Sequence, residues 1–324
     1  MRAILCKEFG PLERLAFENT PGVEPRERDV VINVKAVGLN FFDTLLIAGQ
    51  YQYRPDLPFS PGAEISGTVA KVGPEVEKFS PGDRIMAFIG WGGLREQATV
   101  SAAKCILLPD DVSYETAAAL QVSYGTALNA LSDRADLRDG ETLAVLGAAG
   151  GTGQAAIELG KMLGATVIAV ASNEEKLKFC SLIGADHLIN SSREDVKQRI
   201  RDLTSGKGAD AIFDPVGGSL SETAFRSLKW GGRHLVIGFA SGDIPRLALN
   251  LPLLKGASVV GVFWGEQVKR EPESHHLNMQ RLLSWLRNGR IKPHIGFSCP
   301  LSNAKLALAE IAERRIKGKA IVVV

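Results

Sequence analysis

Residues 142–156, TLAVLGAAGGTGQAA, constrain this chain more than any other stretch. A short apolar run with the character of a buried strand breaks into glycines and then into a helix of small residues. Gly147, Gly150, Gly151 and Gly153 let the backbone turn sharply, let an anion approach the main chain, and let the new helix lie close to the strand. The unpaired N–H groups of the first helical turn then face that anion. Because Ala148-Ala149-Gly150-Gly151-Thr152-Gly153 is not a strict G-x-G-x-x-G, the segment reads either as a pyrophosphate turn or as a glycine-rich loop with no ligand. Its surroundings favour the first reading.

Downstream, apolar strand-like runs at 143–146, 166–171, 187–189, 211–213, 234–239 and 258–263 alternate with helical segments such as 154–163 and 174–183, the second stopping at Gly184. Six strands separated by helices predict an α/β, doubly wound parallel sheet of the Rossmann type. Upstream, short strands at 2–6, 30–37, 64–72, 84–88 and 96–100 are punctuated by Pro21-Gly22, Pro61-Gly62, Gly73-Pro74 and Pro81-Gly82-Asp83, which predicts an all-β, barrel-like module. An alanine-rich helical stretch, 113–131, joins the two. The expected organisation is a first domain over 1–122, a dinucleotide domain over 123–265, and a return to the first domain over 266–324, with helices at 277–288 and 303–317 and a closing strand at 320–324. A length of 324 residues suits two domains.

Composition narrows the partners. A formal charge of +2 and 23% charged residues give no reason to expect nucleic acid or an acidic membrane surface, and no run approaches the ~20 apolar residues of a membrane span. A cytoplasmic location and small-molecule partners are expected. Cys6, Cys105, Cys180 and Cys299 are scattered without a C-x-x-C pair, so each is expected to be a small buried hydrophobe. His187, His234, His275, His276 and His294 show no metal-ligand spacing, with His275-His276 expected in a polar loop, and no Ser-His-Asp or Cys-His arrangement stands out.

In a dinucleotide fold an acid at the tip of the second strand bonds the ribose 2′-hydroxyl of NAD. Here that tip reads Ala169-Val170-Ala171-Ser172-Asn173, without an acid. Ser172 and Lys176 suit a 2′-phosphate, which points to NADPH over NADH. The same Ser172-Asn173-Glu174-Glu175 also reads as a helix cap with its reciprocal acid, and both readings stand.

The segments AVGLNFFDTLLIAGQY, LPFSPGAEISGTV, PGDRI, QVSYGTALNAL, LGAAGGTGQAAIELGK, FDPVGG, GGRHLVIGFASG, VVGVFWG and GKAIVVV together resemble the medium-chain dehydrogenase/reductase superfamily, and more closely its zinc-free, zeta-crystallin-like quinone oxidoreductases. The resemblance implies a GroES-like β-barrel domain beside a Rossmann domain that binds NADPH. Zinc relatives carry a cysteine where this chain has Asn40 and a histidine where it has Ala63, and the four-cysteine lobe expected after Gly82-Asp83-Arg84 is missing. No zinc and no metal-ligand residues are therefore expected. Without a Lewis acid, an acceptor that is already electron-poor is required. A quinone fits; α,β-unsaturated carbonyls and enoyl-thioesters are the alternative. A non-catalytic, crystallin-like NADPH-binding protein is the reading of another class.

The resemblance also implies roles for single residues. Asn40 and Asp43 match an N-x-x-D segment beside the nicotinamide, although Asn40 reads equally as the N-cap of a helix. Tyr51 lines a substrate cleft or covers the barrel edge. Thr126 lies on the cofactor side. Gly238, Phe239 and Ala240, with Val262, Phe263 and Trp264, end strands where the nicotinamide lies, unless Phe239 and Phe263 are ordinary core aromatics. Ser191 stands where many relatives have a tyrosine near the 2′-phosphate, which leaves Ser172, Lys176 and Lys319 to hold that group. A homodimer is implied through edge strands at 258–262.

Overall fold

The computed structural model describes residues 1–324. The chain divides into two compact units, Met1–Val122 with Pro293–Val324, and Ser123–Lys292. Fifteen strands follow in order: β1 (Arg2–Leu5), β2 (Ala16–Asn19), β3 (Asp29–Leu39), β4 (Glu64–Val72), β5 (Arg84–Phe88), β6 (Gln97–Ser101), β7 (Cys105–Leu107), β8 (Thr142–Leu146), β9 (Thr166–Ala171), β10 (His187–Asn190), β11 (Ala209–Asp214), β12 (Leu228–Val236), β13 (Ser258–Gly261), β14 (Ile295–Pro300) and β15 (Lys319–Val323).

In the first unit, β14-β15-β3-β4-β5-β7 form a seven-stranded sheet with β6, which also pairs with β3. β1 and β2 make a separate antiparallel ribbon. Ile32, Val37, Ile65, Ile85 and Leu94, all fully buried, belong to the core of this unit. The closing strand returns as expected: β15 runs antiparallel to β3, with Ala320 opposite Leu39, and parallel to β14. Its return carries Lys319, 279 positions away in sequence, to Asn40.

The second unit is a six-stranded, wholly parallel sheet in the order β10-β9-β8-β11-β12-β13, the doubly wound arrangement. Leu143 to Leu146 of β8 are fully buried, which explains an unbroken apolar run rather than an alternating one. The order reverses between β8 and β11, so their carboxyl ends border the crevice in which such sheets bind ligands.

Several expectations change. The second unit runs to Lys292 rather than 265, because the helix Pro272–Arg287 buries Met279, Leu282 and Leu283 there. His275 lies in that helix and is buried, not in a polar loop. The fifth strand of the sheet is Leu228–Val236, not 234–239: it starts ahead of Gly231, whose φ is +72°, and ends before Gly238. β2, AFEN, is mostly exposed and so shows no apolar run, and β7 has only three residues. All four cysteines are buried free thiols.

Candidate functional site

In the second unit, β8 delivers its chain into Gly147 at φ +56°, a left-handed conformation that favours glycine. A Cβ on Gly147 would also lie 2.9 Å from Val216 Cγ2, in the segment after β11. Gly150 is the N-cap of the helix Gly151–Met162 and has no side chain to cap it. A Cβ on Gly153 would sit 2.5 Å from the Gly147 carbonyl oxygen and 2.7 Å from that of Ala148, so only glycine lets this helix start so close to its strand. The result is a cradle of main chain at the switch point, with first-turn N–H groups that no N-cap side chain meets. It fits the pyrophosphate of a dinucleotide.

At the neighbouring strand tip, Asn173 caps the helix Glu174–Leu182: its Oδ1 accepts the Lys176 N–H at 2.9 Å. Capping therefore does not use the Ser172 hydroxyl, and Ser172 is exposed. The Ser172 carbonyl accepts the Ser192 hydroxyl at 2.9 Å, and Ser191 Oγ donates to the Ala171 carbonyl at 3.3 Å, which holds the ends of β9 and β10 together. Glu174 accepts the Asn190 amide at 2.8 Å and has Arg193 Nη1 3.8 Å away. Arg193 is a cation at this tip that motif reasoning misses; its only signal is its place just past the third strand.

Across the crevice, Asp214 at the end of β11 shapes the next loop. Its Oδ1 accepts the Val216 and Gly217 N–H groups at 2.9 and 3.0 Å, and its Oδ2 accepts the Ser221 hydroxyl and lies 3.0 Å from His234 Nε2. Burial would raise this carboxyl; the hydrogen bonds and charge of His234, with those from Ser221 and Gly217, outweigh it and hold it below its usual value. The carboxylate stands between serine and histidine, so this trio is not a nucleophile–base pair. Gly238, Phe239 and Ala240 follow β12 in a turn fixed by Ala240 N–H on the Pro215 carbonyl at 3.0 Å. Phe263 is 43% exposed, which removes the core-aromatic reading for it, whereas Trp264 is buried. A Cβ on Gly125, next to the buried Thr126, would lie 2.8 Å from the Trp264 indole.

The first unit holds a buried polar cluster. Asn40 precedes the helix Phe41–Ile47; its N–H donates to Asp43 Oδ2 at 2.8 Å, and Asp43 Oδ1 accepts the Gly62 N–H at 3.2 Å. Asp43 is fully buried, and burial pushes its carboxyl up to about 7 against the lowering effects of those donors and of the Lys319 charge. It thus braces Asn40 from behind rather than facing a reactant. Lys319 is also inside: its Nζ donates to Asn40 Oδ1 at 2.7 Å and to Glu64 Oε1. That corrects its expected place on a 2′-phosphate, since β15 turns this side chain into its own unit. Glu64, fully buried, does not stand out in the sequence, where one acid after Pro61-Gly62-Ala63 carries no distinguishing signal. Tyr51 stacks on Phe42 with ring centroids 5.4 Å apart, and burial pushes its phenol up to about 12, so it remains a donor at neutral pH.

No group of three or more His, Cys, Asp or Glu side chains lies close enough to hold a metal ion. Ala63 offers no donor atom, and Glu64 is engaged by an ammonium. This donor set does not fit a tetrahedral zinc site.

Comparison with known proteins agrees with this architecture. Residues 26–110 match the alcohol dehydrogenase GroES-like domain, and residues 151–281 the zinc-binding dehydrogenase family. The chain is 39% identical over 323 residues to quinone oxidoreductase-like protein 2 of Bos taurus, covering 99% of this chain and 91% of that one. Among solved structures, Escherichia coli quinone oxidoreductase complexed with NADPH superposes with a TM-score of 0.95 at 27% identity, over 100% of both chains. CurK enoyl reductase superposes with a TM-score of 0.90 at 25% identity, over 99% of this chain and 98% of that one. From its two domain types and its full-length relatives, the chain belongs to the quinone oxidoreductase-like branch of the medium-chain dehydrogenase/reductase superfamily.

Proposed function

We propose that this protein is an NADPH-dependent, zinc-independent oxidoreductase that reduces a quinone. The observation that carries the proposal is the main-chain cradle at the β8–β11 switch point, where Gly147 and Gly153 admit no side chain. NADPH, when bound, supplies the hydride. The N–H groups of Gly151, Thr152 and Gly153, beside Ala148, Ala149 and Gly150, bind the pyrophosphate. Ser172 and Lys176 bind the 2′-phosphate, a role supported by the transfer of the capping function to Asn173, while Ser191, whose hydroxyl donates to the Ala171 carbonyl, holds the strand tip beside it. Thr126, the Gly238–Phe239–Ala240 turn and Val262, Phe263 and Trp264 serve the nicotinamide. Asn40 and Tyr51 donate hydrogen bonds to an acceptor oxygen, and Asp43 holds Asn40.

The donor chemistry around Asn40, Ala63 and Glu64 supports a mechanism without zinc, so the acceptor must itself stabilise the added electron pair. Quinones do so, and the names of the relatives favour them. The likeness to an enoyl reductase keeps conjugated carbonyls and enoyl-thioesters as the second reading. A homodimer belongs to the same proposal. β13 is an edge strand with Val259 49% exposed, and Trp230, Leu249, Leu253 and Leu254 on neighbouring segments are between 68% and 84% exposed.

Steady-state NADPH oxidation by chelator-treated protein, with NADH as control and quinones, alkenals and enoyl-thioesters as acceptors, tests the reading. Fast quinone turnover that survives the chelator is expected. Turnover confined to conjugated carbonyls selects the second reading, loss of activity with metal removal overturns zinc independence, and tight NADPH binding without any turnover leaves the non-catalytic one.

A further inference from the structure

Asn40, Glu64 and Lys319 form a closed triangle in which every pair is hydrogen-bonded. Lys319 Nζ donates to Asn40 Oδ1 at 2.7 Å and to Glu64 Oε1, and Asn40 Nδ2 donates to Glu64 Oε1 at 2.9 Å. The second carboxylate oxygen of Glu64 accepts the Val122 N–H at 2.9 Å. Glu64 is 0% exposed and Lys319 3%. The chain also makes room for the carboxylate: a Cβ on Gly38, the residue opposite Glu64 in the sheet, would lie 2.7 Å from Glu64 Oε1 and 1.9 Å from the Ala118 carbonyl oxygen.

A buried ion pair seldom stabilises more than an apolar pair of the same size, so its presence calls for a use. The carboxamide between the charges suggests one. An asparagine amide can usually flip at little cost, but here a flip would set Nδ2 against an ammonium and Oδ1 against a carboxylate. The charges on both sides fix which end is which. Oδ1 is held, and one Nδ2–H is held. The other Nδ2–H has only the Gly38 carbonyl at 3.5 Å, too long for more than a weak contact. Asn40 itself is only half-buried, whereas Glu64 and Lys319 are buried, so that hydrogen is the polar group of the triangle most accessible to a ligand.

We propose that Lys319 is a positioning residue: together with Glu64 it locks the Asn40 carboxamide so that its remaining Nδ2–H is presented to a carbonyl oxygen of the bound redox partner. This rests on the proposed role of Asn40 in the redox reaction. Lys319 touches neither reactant. It acts through Asn40 alone, which distinguishes it from a charge that attracts a phosphate.

The test combines two measurements on the full chain. The pair Glu64→Gln/Lys319→Met removes both charges without stranding either one. It is expected to lower kcat for NADPH oxidation about 10- to 100-fold, with the KM for NADPH changed less than about twofold. In an Asn40→Ala background the same pair is expected to change kcat less than about twofold. Lys319→Arg, whose fork can donate to both partners, is expected to recover most of the rate. Independently of activity, of the two Asn40 side-chain NH₂ signals of ¹⁵N-labelled protein, assigned by their loss in Asn40→Ala, the one bonded to Glu64 is expected to exchange slowly in the wild type and fast in the paired variant. An equal loss of kcat in both backgrounds, or unchanged exchange protection in the paired variant, overturns the proposal. If the wild type fails to oxidise NADPH with any of the acceptors offered, the functional reading fails by itself while the exchange measurement still judges the clamp.

Discussion

The two units handle charge in opposite ways. The second prepares for an anion with main chain alone: contiguous residues, Gly147 to Gly153, whose contribution is largely the side chains they lack. The first packs the Asn40 carboxamide against the buried ionisable side chains of Asp43, Glu64 and Lys319, with β3, β4 and β15 as the frame. A backbone site is encoded locally and survives as long as nothing fills it. A side-chain cluster is encoded in topology, and its members depend on each other. The contrast breaks first at Glu64. Glu64→Ala leaves the Lys319 ammonium buried without a carboxylate and is expected to cost about 3–5 kcal/mol of stability, read from urea denaturation. A loss below about 1 kcal/mol would mean that the cluster is not the interdependent unit described.

The glycine turn should respond in function rather than in fold. Gly153→Val drives a branched side chain into the Gly147 and Ala148 carbonyls and must move the helix start. The dissociation constant for NADPH, measured by fluorescence titration, is expected to rise about 100-fold, equivalent to about 2.7 kcal/mol. Far-UV circular dichroism should barely change. Wild-type affinity in this variant would separate the turn from the cofactor.

The same contrast decides how much of the molecule is legible in its sequence. Apolar runs and glycines point to the parallel sheet, its glycine turn and a closing strand, because each rests on local pattern. Asn40 and Asp43 are visible as a local N-x-x-D. Glu64 and the true place of Lys319 are not, since no local pattern says that position 319 will lie against position 40. Asn173 and Ser172 are inseparable as cap candidates until backbone geometry assigns the cap. His275 misleads for a related reason: its polar neighbours, Glu273 and Ser274, line a helix of which only one face is buried.

Asp43 sharpens the comparison through pH. Its carboxyl titrates near 7 in the folded chain against an ordinary 3.8, so between those values the folded state holds a proton that the unfolded chain has released. Stability that is complete below about pH 4 is then lost as pH rises through 7. Relative to Asp43→Asn, the wild type is expected to lose on the order of 1–4 kcal/mol between pH 5 and 8, measured by urea denaturation at each pH. The opposite slope would show that the N–H donors of Asn40 and Gly62 outweigh burial.

The smallest expected effect concerns the strand tip, where the local and assembled kinds of site meet. If Ser172 and Lys176 hold a 2′-phosphate, Ser172→Ala/Lys176→Ala removes a charge-assisted hydrogen bond at exposed Ser172 and the charge of half-buried Lys176. The KM for NADPH should rise about tenfold, about 1.4 kcal/mol, while that for NADH stays nearly constant. Asn173→Ala supplies the contrast, because Asn173 caps the helix: it should cost about 1 kcal/mol of stability and change the NADPH-to-NADH ratio little. The outcomes separate because a cap acts on the folded chain whichever cofactor is present, whereas a phosphate contact acts only when the phosphate is there. Loss of discrimination in Asn173→Ala but not in the double variant would move the recognition from the side chains to the helix start. Added salt gives the same answer from another direction, since a contact to an exposed phosphate weakens as ionic strength rises and a cap does not.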